Sequence, residues 1–289
     1  MMGSFFGDLW QGSPLLCRAL AASLLAAVAC GVIGSYVVLR RESYTVGAVS
    51  HSLLGGIGAA LFISRWWKAV WITPWLGALA AALLSALVIS WCTTHWKMRT
   101  DTVLSAVWAL GMALGISFIT ALPGYPPDLN SFLFGSILII SPGDLILMAV
   151  LDCAVLLCSW MLHHRFIALS FNSELVLLRG LSPSRIQLAL QLLTALTVVV
   201  LAQLVGIILC VALLILPVAA AANCSRRITH IMGLAALFCF ICAFLGIAVS
   251  YDTLPGGIML SPGATIVELA GALYLLSAAV RRLRHRSRA

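Results

Sequence analysis

Apolar residues run along this chain in long blocks, broken by short segments that hold nearly all the Arg, Lys, Pro and Asp. A helix needs about 20 apolar residues to cross a bilayer. Blocks of that order lie at 17–39, 44–64, 70–92, 102–121, 143–163, 186–204, 207–222, 229–250 and 263–280. The pattern predicts an all-α, polytopic transmembrane helix bundle of eight or nine spans. The count turns on 186–222. That segment reads either as one long helix bent at Pro217, whose ring removes a backbone hydrogen bond, or as two short helices parted at Gly206.

Charge placement favours nine. Lys and Arg accumulate in the short cytoplasmic loops of membrane proteins. Nine spans with the N-terminus outside and the C-terminus in the cytoplasm put 14 of the 17 basic residues inside, leaving Arg18, Arg65 and Lys68 outside. Merging 186–222 into one span would scatter them over both faces. Trp66, Trp67 and Trp71 at one end of the third span, and Trp91 and Trp96 at the other, read as interfacial belts. Residues 1–16 lack the basic start of a signal peptide, so the first span is expected to be retained.

Composition excludes several classes. Hydrophobic residues make up 62% of the 289 positions and charged ones 9%, against about 25% charged in soluble domains. The longest polar connections, 122–142 outside and 164–185 inside, are too short to fold a catalytic or nucleotide-binding module. The chain therefore reads as one permease-like domain, 1–289. GxxxxGK[ST] is absent, so any ATP used is bound by another chain. HExxH and GxSxG are absent too, which argues against an intramembrane protease or hydrolase. The net charge of +8 follows the topology and forms no stripe with interleaved aromatics, so no nucleic-acid partner is expected. The arginines of 281–288 suit attraction to anionic lipid headgroups. Most of the nine cysteines lie in apolar spans; Cys239 and Cys242 form a CxxC on a helix, with no second pair or histidine to complete a zinc site, and read as packing residues.

Two connections carry structure of their own. In 171–187, Asn172 or Ser173 can cap a short helix through Glu174 to Arg179, Gly180 can end it, and Pro183 can start the next element. An amphipathic helix of that kind on the cytoplasmic face is either a surface for a partner or a plain helical loop. In the outer segment, Phe132, Leu133, Phe134, Ile137, Leu138, Ile139 and Ile140 are too apolar for a free loop and too few to span. That segment is expected to re-enter the membrane or to lie along its surface.

Ionisable groups inside spans are costly and mark functional candidates. They are His51, Asp152 and Glu268. Gly47, His51 and Gly55 recur every four residues and share one helix face, while Ala48, Ser52, Gly56 and Ala60 form an adjacent small ridge. A helix so stripped of bulk packs closely and turns the imidazole into the bundle. There it could bind a borderline-soft cation such as Zn²⁺, or simply hydrogen-bond between helices. Asp152 reads as a buried helix contact and Glu268 as a group near the outer water boundary. Asp252 stands at the end of the eighth span, at an outer mouth where cations would enter, or in an ordinary solvated loop.

Six stretches, in register along nearly the whole chain, resemble the permease subunits of bacterial ABC importers for zinc, manganese and iron(II), most of all the zinc-uptake permeases. They are Gly34, Ser35, Val38 and Arg41; Ser50 and His51; DLNSFLFGSILIISPGDL (128–145); 171–187; VGIILCVALLILPVAAA (205–221); and SPGATIV (261–267). The resemblance implies an importer permease of the bacterial cytoplasmic (inner) membrane that carries a divalent transition metal and holds no permanent cofactor. Its partners would be a cytoplasmic ABC ATPase, an extracytoplasmic metal-binding protein and a second permease copy or paralogue. It makes about 171–182 a coupling helix, with Ser173, Glu174, Leu177 and Gly180 facing the ATPase. It also makes His51 and Asp252 transient metal contacts. The sequence departs from the family in two places. Gly47 stands where members often carry an aspartate, and about five extra residues separate Asp252 from Pro262–Gly263. Loss of a hard oxygen ligand shifts the preference toward Zn²⁺ over Mn²⁺. An ion-coupled secondary transporter, which should show inverted repeats and several membrane carboxylates, and a non-transporting membrane scaffold are the alternatives.

Overall fold

A computed structural model describes residues 3–67, 71–122, 140–171, 173–251 and 260–286. They form α1 (Gly3–Trp10), α2 (Pro14–Leu39), α3 (Ser43–Trp67), α4 (Pro74–Thr94), α5 (Thr100–Thr120), α6 (Pro142–Phe171), α7 (Ser173–Leu178), α8 (Pro183–Val205), α9 (Ile207–Cys224), α10 (Ile228–Tyr251) and α11 (Pro262–Arg286). Nine of these are long and apolar enough to cross a membrane: α2–α6 and α8–α11. The all-α bundle read from the apolar blocks is the observed fold. The apolar outer segment of 132–139, and Asp252, lie outside the described residues.

The uncertain stretch of 186–222 resolves into α8 and α9. The break falls at Gly206, whose φ of 84° and ψ of 167° belong to a region open essentially to glycine. Pro217 lies inside α9 and does not end it. Two other elements differ from the apolar pattern. α6 runs for 30 residues, about 45 Å at 1.5 Å per residue, because no glycine or proline interrupts 144–171; the helix continues past the apolar block into the polar connection. α1 was not legible as an element. It is held by Phe5, which packs edge-on against Phe244 and Tyr251, and by the Tyr251 hydroxyl, which donates to Asp8 Oδ2 at 2.7 Å.

The described residues divide into two compact units, one drawn from Met1–Val38, Leu133–Leu156 and Val200–Ala289, the other from Leu39–Phe132 and Leu157–Val199. The second unit is organised around α3. Lipid is as apolar as leucine, so helices in a membrane associate through close packing of small residues instead of through exclusion of water. α3 does this on two faces at once. Towards α5, a methyl group on Gly55 would stand 2.8 Å from the Gly111 carbonyl, and one on Gly58 would stand 2.7 Å from the Gly115 carbonyl. Towards α4, a methyl on Gly56 would drive into the Gly77 carbonyl, and the Ser85 hydroxyl bonds the Ser52 hydroxyl at 2.7 Å. The order of contacts makes α3 and α5 parallel and α3 and α4 antiparallel, as consecutive spans require.

The first unit uses the same device more sparingly. Gly31 on α2 backs onto Ala236 of α10, and Gly34 lies under the Leu214 carbonyl of α9, each close enough that a methyl would collide. Val218, Ala221, Ile231 and Ala235 form a buried cluster between α9 and α10. Gly246 of α10 receives Ile266 of α11, and the Thr265 hydroxyl donates to the Gly246 carbonyl at 3.1 Å. Several residues of the sequence motifs are thus contacts between spans.

Adding one methyl at Gly56 should therefore cost about 1–3 kcal/mol as an overpacking substitution. Gly271 on α11 has nothing within 4 Å of the equivalent position, and the same change there should be neutral or gain up to about 1 kcal/mol of helix propensity. Thermal unfolding of purified Gly56→Ala and Gly271→Ala proteins in one detergent checks this. Equal midpoints would remove the α3–α4 contact from the account.

Candidate functional site: the α3 face and the base of α6–α8

His51 sits in the first half of α3, on the face that meets α5. Its imidazole stacks on the Trp108 indole with ring centroids 4.4 Å apart and planes 12° from parallel. Trp108 also covers Gly47, where a Cβ would come within 3.1 Å of the indole ring, and it contacts the Tyr44 ring at 5.5 Å. The four-residue spacing of Gly47, His51 and Gly55 is what brings them to one seam: glycine below, imidazole in the middle, glycine above. The adjacent small ridge of Ser52, Gly56 and Ala60 turns to α4. The indole fills the space beside Gly47 that a longer side chain would need.

Towards the base of the same helix, a polar junction joins three elements distant in sequence. Arg40 Nε donates to Glu42 Oε1 at 2.9 Å, and Arg40 Nη1 donates to the Leu169 carbonyl near the end of α6 at 2.9 Å. Gln187 Nε2, in the first turns of α8, reaches both Glu42 oxygens at 2.9 Å. Arg40 and Glu42 are only 19% and 20% exposed, so this charge-assisted set is partly shielded from solvent. The junction borders a cavity of about 290 Å³ that also exposes Thr45 and Gln191. The connection from α2 to α3 is three residues long, and Arg41 within it holds a left-handed φ of 59°. Sequence reading passed over this junction, because Glu42 meets Gln187 from 145 residues away. The available signal was an isolated carboxylate beside two arginines in a connection too short to be a free loop.

The segment between Leu169 and Gln187 carries α7. Gly180, with a φ of 72°, ends it: the Gly180 amide donates to the Leu177 carbonyl at 2.9 Å and the Leu181 amide to the Val176 carbonyl at 3.2 Å. This pair of bonds is a Schellman closure. The helix is two-faced. Val176 is 1% exposed while Leu177 and Leu178 are 60% and 87% exposed, and Glu174 is exposed beside them. Of the residues expected to face a partner, Glu174 and Leu177 are on the open side and Gly180 shapes the end; Ser173 is the first residue of the helix.

The remaining candidates stand apart. Asp152, on α6, is 1% exposed, and neither of its oxygens has a hydrogen-bond partner among the described residues; the thiol of Cys30 is among its neighbours. Glu268 is exposed on α11. Among the described residues no group of three His, Cys, Asp or Glu side chains is arranged to hold a metal ion.

Residues 13–281 match the profile of the ABC 3 transport family. A Chlamydia trachomatis protein named "probable metal transport system membrane protein" is 37% identical over 269 residues, covering 93% of this chain and 90% of its own. The "manganese transport system membrane protein MntC" of Halalkalibacterium halodurans is 31% identical over 276 residues, 95% of this chain and 90% of its own. Among solved structures, PsaBC from Streptococcus pneumoniae in complex with Fab superposes with a TM-score of 0.81 at 26% identity, covering 96% of this chain and 95% of that one. With the family profile spanning most of its length and nine helices among the described residues long and apolar enough to cross a membrane, this multi-pass membrane protein belongs to the ABC 3 transport family, as a metal-type ABC transporter permease.

Proposed function

We propose that the chain works as a single permease domain that imports a divalent transition metal, Zn²⁺ before Mn²⁺ or Fe²⁺, across the bacterial cytoplasmic membrane. In this reading the N-terminus is outside and the arginine-rich C-terminus is in the cytoplasm. An extracytoplasmic metal-binding protein delivers the ion to a mouth near Asp252, the ion touches the His51 imidazole transiently, and a second permease copy or paralogue forms the other half of the path. α7 seats in a groove of a cytoplasmic ABC ATPase through Glu174 and Leu177.

The observation that carries this reading is the Arg40–Glu42–Gln187 junction. The residues on either side of α7, Leu169 and Gln187, are both bonded to the three-residue connection that leads into α3, and α3 is the helix that bears His51. Movement of α7 on a partner would thus pull on the helix that holds the proposed metal contact, through side chains and not through the chain alone. The metal preference rests on ligand type. The face of α3 offers an imidazole and, at Gly47, no carboxylate, a poorer set for Mn²⁺ than for Zn²⁺. Relatives named as manganese systems make Mn²⁺ the rival cargo.

Glu42→Gln keeps the shape and removes the charge of the junction. It should lower uptake by roughly tenfold, the value of one charge-assisted hydrogen bond, while the ATPase still assembles and hydrolyses ATP; unchanged uptake would leave the junction a local brace. Glu174→Arg should abolish uptake and co-purification of the ATPase without loss of the permease from the membrane, and normal uptake would remove α7 as the coupling element. His51→Ala should lower uptake by about tenfold or more in an assembled complex. Uptake measured with competing Zn²⁺, Mn²⁺ and Fe²⁺ then reads the cargo, and stronger competition by Mn²⁺ than by Zn²⁺ would reverse the assignment.

A further inference from the structure

At the ends of α9 and α11 opposite Gly206 and Pro262 lies an open cavity of about 450 Å³. Its two halves differ in chemistry. One is polar and cationic, with Arg226 and Arg281 facing the same space as Asn223, and among the described residues no carboxylate lines it. The other is hydrocarbon, built from Phe238 of α10 and Leu276 and Val280 of α11. Arg281 is held in place by a relay: its Nη1 donates to Asn223 Oδ1 at 2.8 Å, Asn223 Nδ2 donates to the Ser277 hydroxyl at 3.1 Å, and that hydroxyl donates to the Tyr274 carbonyl at 2.7 Å. One edge of the guanidinium is used in this relay, and its other N–H donors remain for a ligand.

Two cations gathered with no acidic neighbour among the described residues call for an anion. The ion pair among the described residues, Arg40–Glu42, is in the other unit and supplies none here. The apolar half then decides the kind of anion. A free phosphate would satisfy Arg226 and Arg281 but would leave Phe238, Leu276 and Val280 unused. The apolar wall runs on into Leu275, Leu276 and Leu283, which are 64–67% exposed along α11, as expected of a surface bathed in acyl chains. The position agrees. α9 ends at Cys224 and the apolar part of α11 at Leu283, so the arginines stand at headgroup depth, where basic pockets between spans bind anionic headgroups.

We propose that this cavity binds one anionic phospholipid, with its phosphate between Arg226 and Arg281 and an acyl chain along Leu276 and Val280. The site is distinct from general attraction to the arginine tail, because the Asn223–Ser277 relay fixes the donor before the lipid arrives.

Native mass spectrometry of the full-length permease, reconstituted with phosphatidylglycerol or phosphatidylcholine and then released into mild detergent, tests the site. The wild-type protein should retain one phosphatidylglycerol and no comparable phosphatidylcholine. Arg226→Gln with Arg281→Gln should weaken that retention roughly thirtyfold, as two headgroup contacts are lost, whereas Arg226→Lys with Arg281→Lys and the opposite-end control Arg18→Gln should keep it. Leu276→Asn should weaken retention of the lipid without creating a site for inorganic phosphate. Retention indifferent to headgroup charge, full retention by the double glutamine variant with an unchanged thermal midpoint, or displacement of the lipid by inorganic phosphate would each overturn the proposal. So would cross-linking of Ser277→Cys to a second copy with no lipid retained.

Discussion

Everything in this chain depends on how closely helices can approach in lipid. In water, burial of apolar surface would hold nine helices together; in a bilayer that gain disappears, since an apolar side chain is as well solvated by lipid as by protein. What remains is short-range packing and hydrogen bonding, both of which require backbones to come near. α3 meets the requirement by giving up side chains on two faces, and its contacts with Gly77, Gly111 and Gly115 place α4 and α5 on either side of it. The first unit repeats the rule at Gly31, Gly34 and Gly246. A glycine seam also fixes register, because the surfaces match only where the small residues meet.

That constraint explains why the chemistry of the site looks spare. A helix packed through glycine on both faces has room for few functional side chains, and on α3 one imidazole takes the position between Gly47 and Gly55. Its neighbour is the Trp108 ring, in a stacked geometry that holds the imidazole plane without spending either of its nitrogens. Asp152 is the exception. A buried carboxyl with no hydrogen-bond partner among the described residues is costly at this depth.

Polar interactions gather instead at the helix ends. Arg40, Glu42, Leu169 and Gln187 bind the base of α3 to the two elements that flank α7, and Asn223, Ser277 and Arg281 do the same for α9 and α11. The pattern follows from solvation. Charged groups cost least near the headgroups, so the long-range connections that need charge are made there, and the close contacts between spans are left mainly to glycine, serine and threonine.

The sequence by itself determined the class of fold and the family, and narrowed the spans to eight or nine. A hydrocarbon layer about 30 Å thick imposes a length on every apolar block, basic residues mark the connections, and the left-handed turns at Gly206 and Gly180 are local demands of the backbone. It also marked His51 and the small faces of α3, since a four-residue repeat is a property of one helix. Which helix each face would meet was decided only in three dimensions: that Trp108 lies over His51, that Glu42 binds Gln187, and that α1 docks on Tyr251. These contacts join residues far apart in the chain, and no spacing rule reaches across the loops that separate them. Helix-helix packing, set by shape, chose those partners.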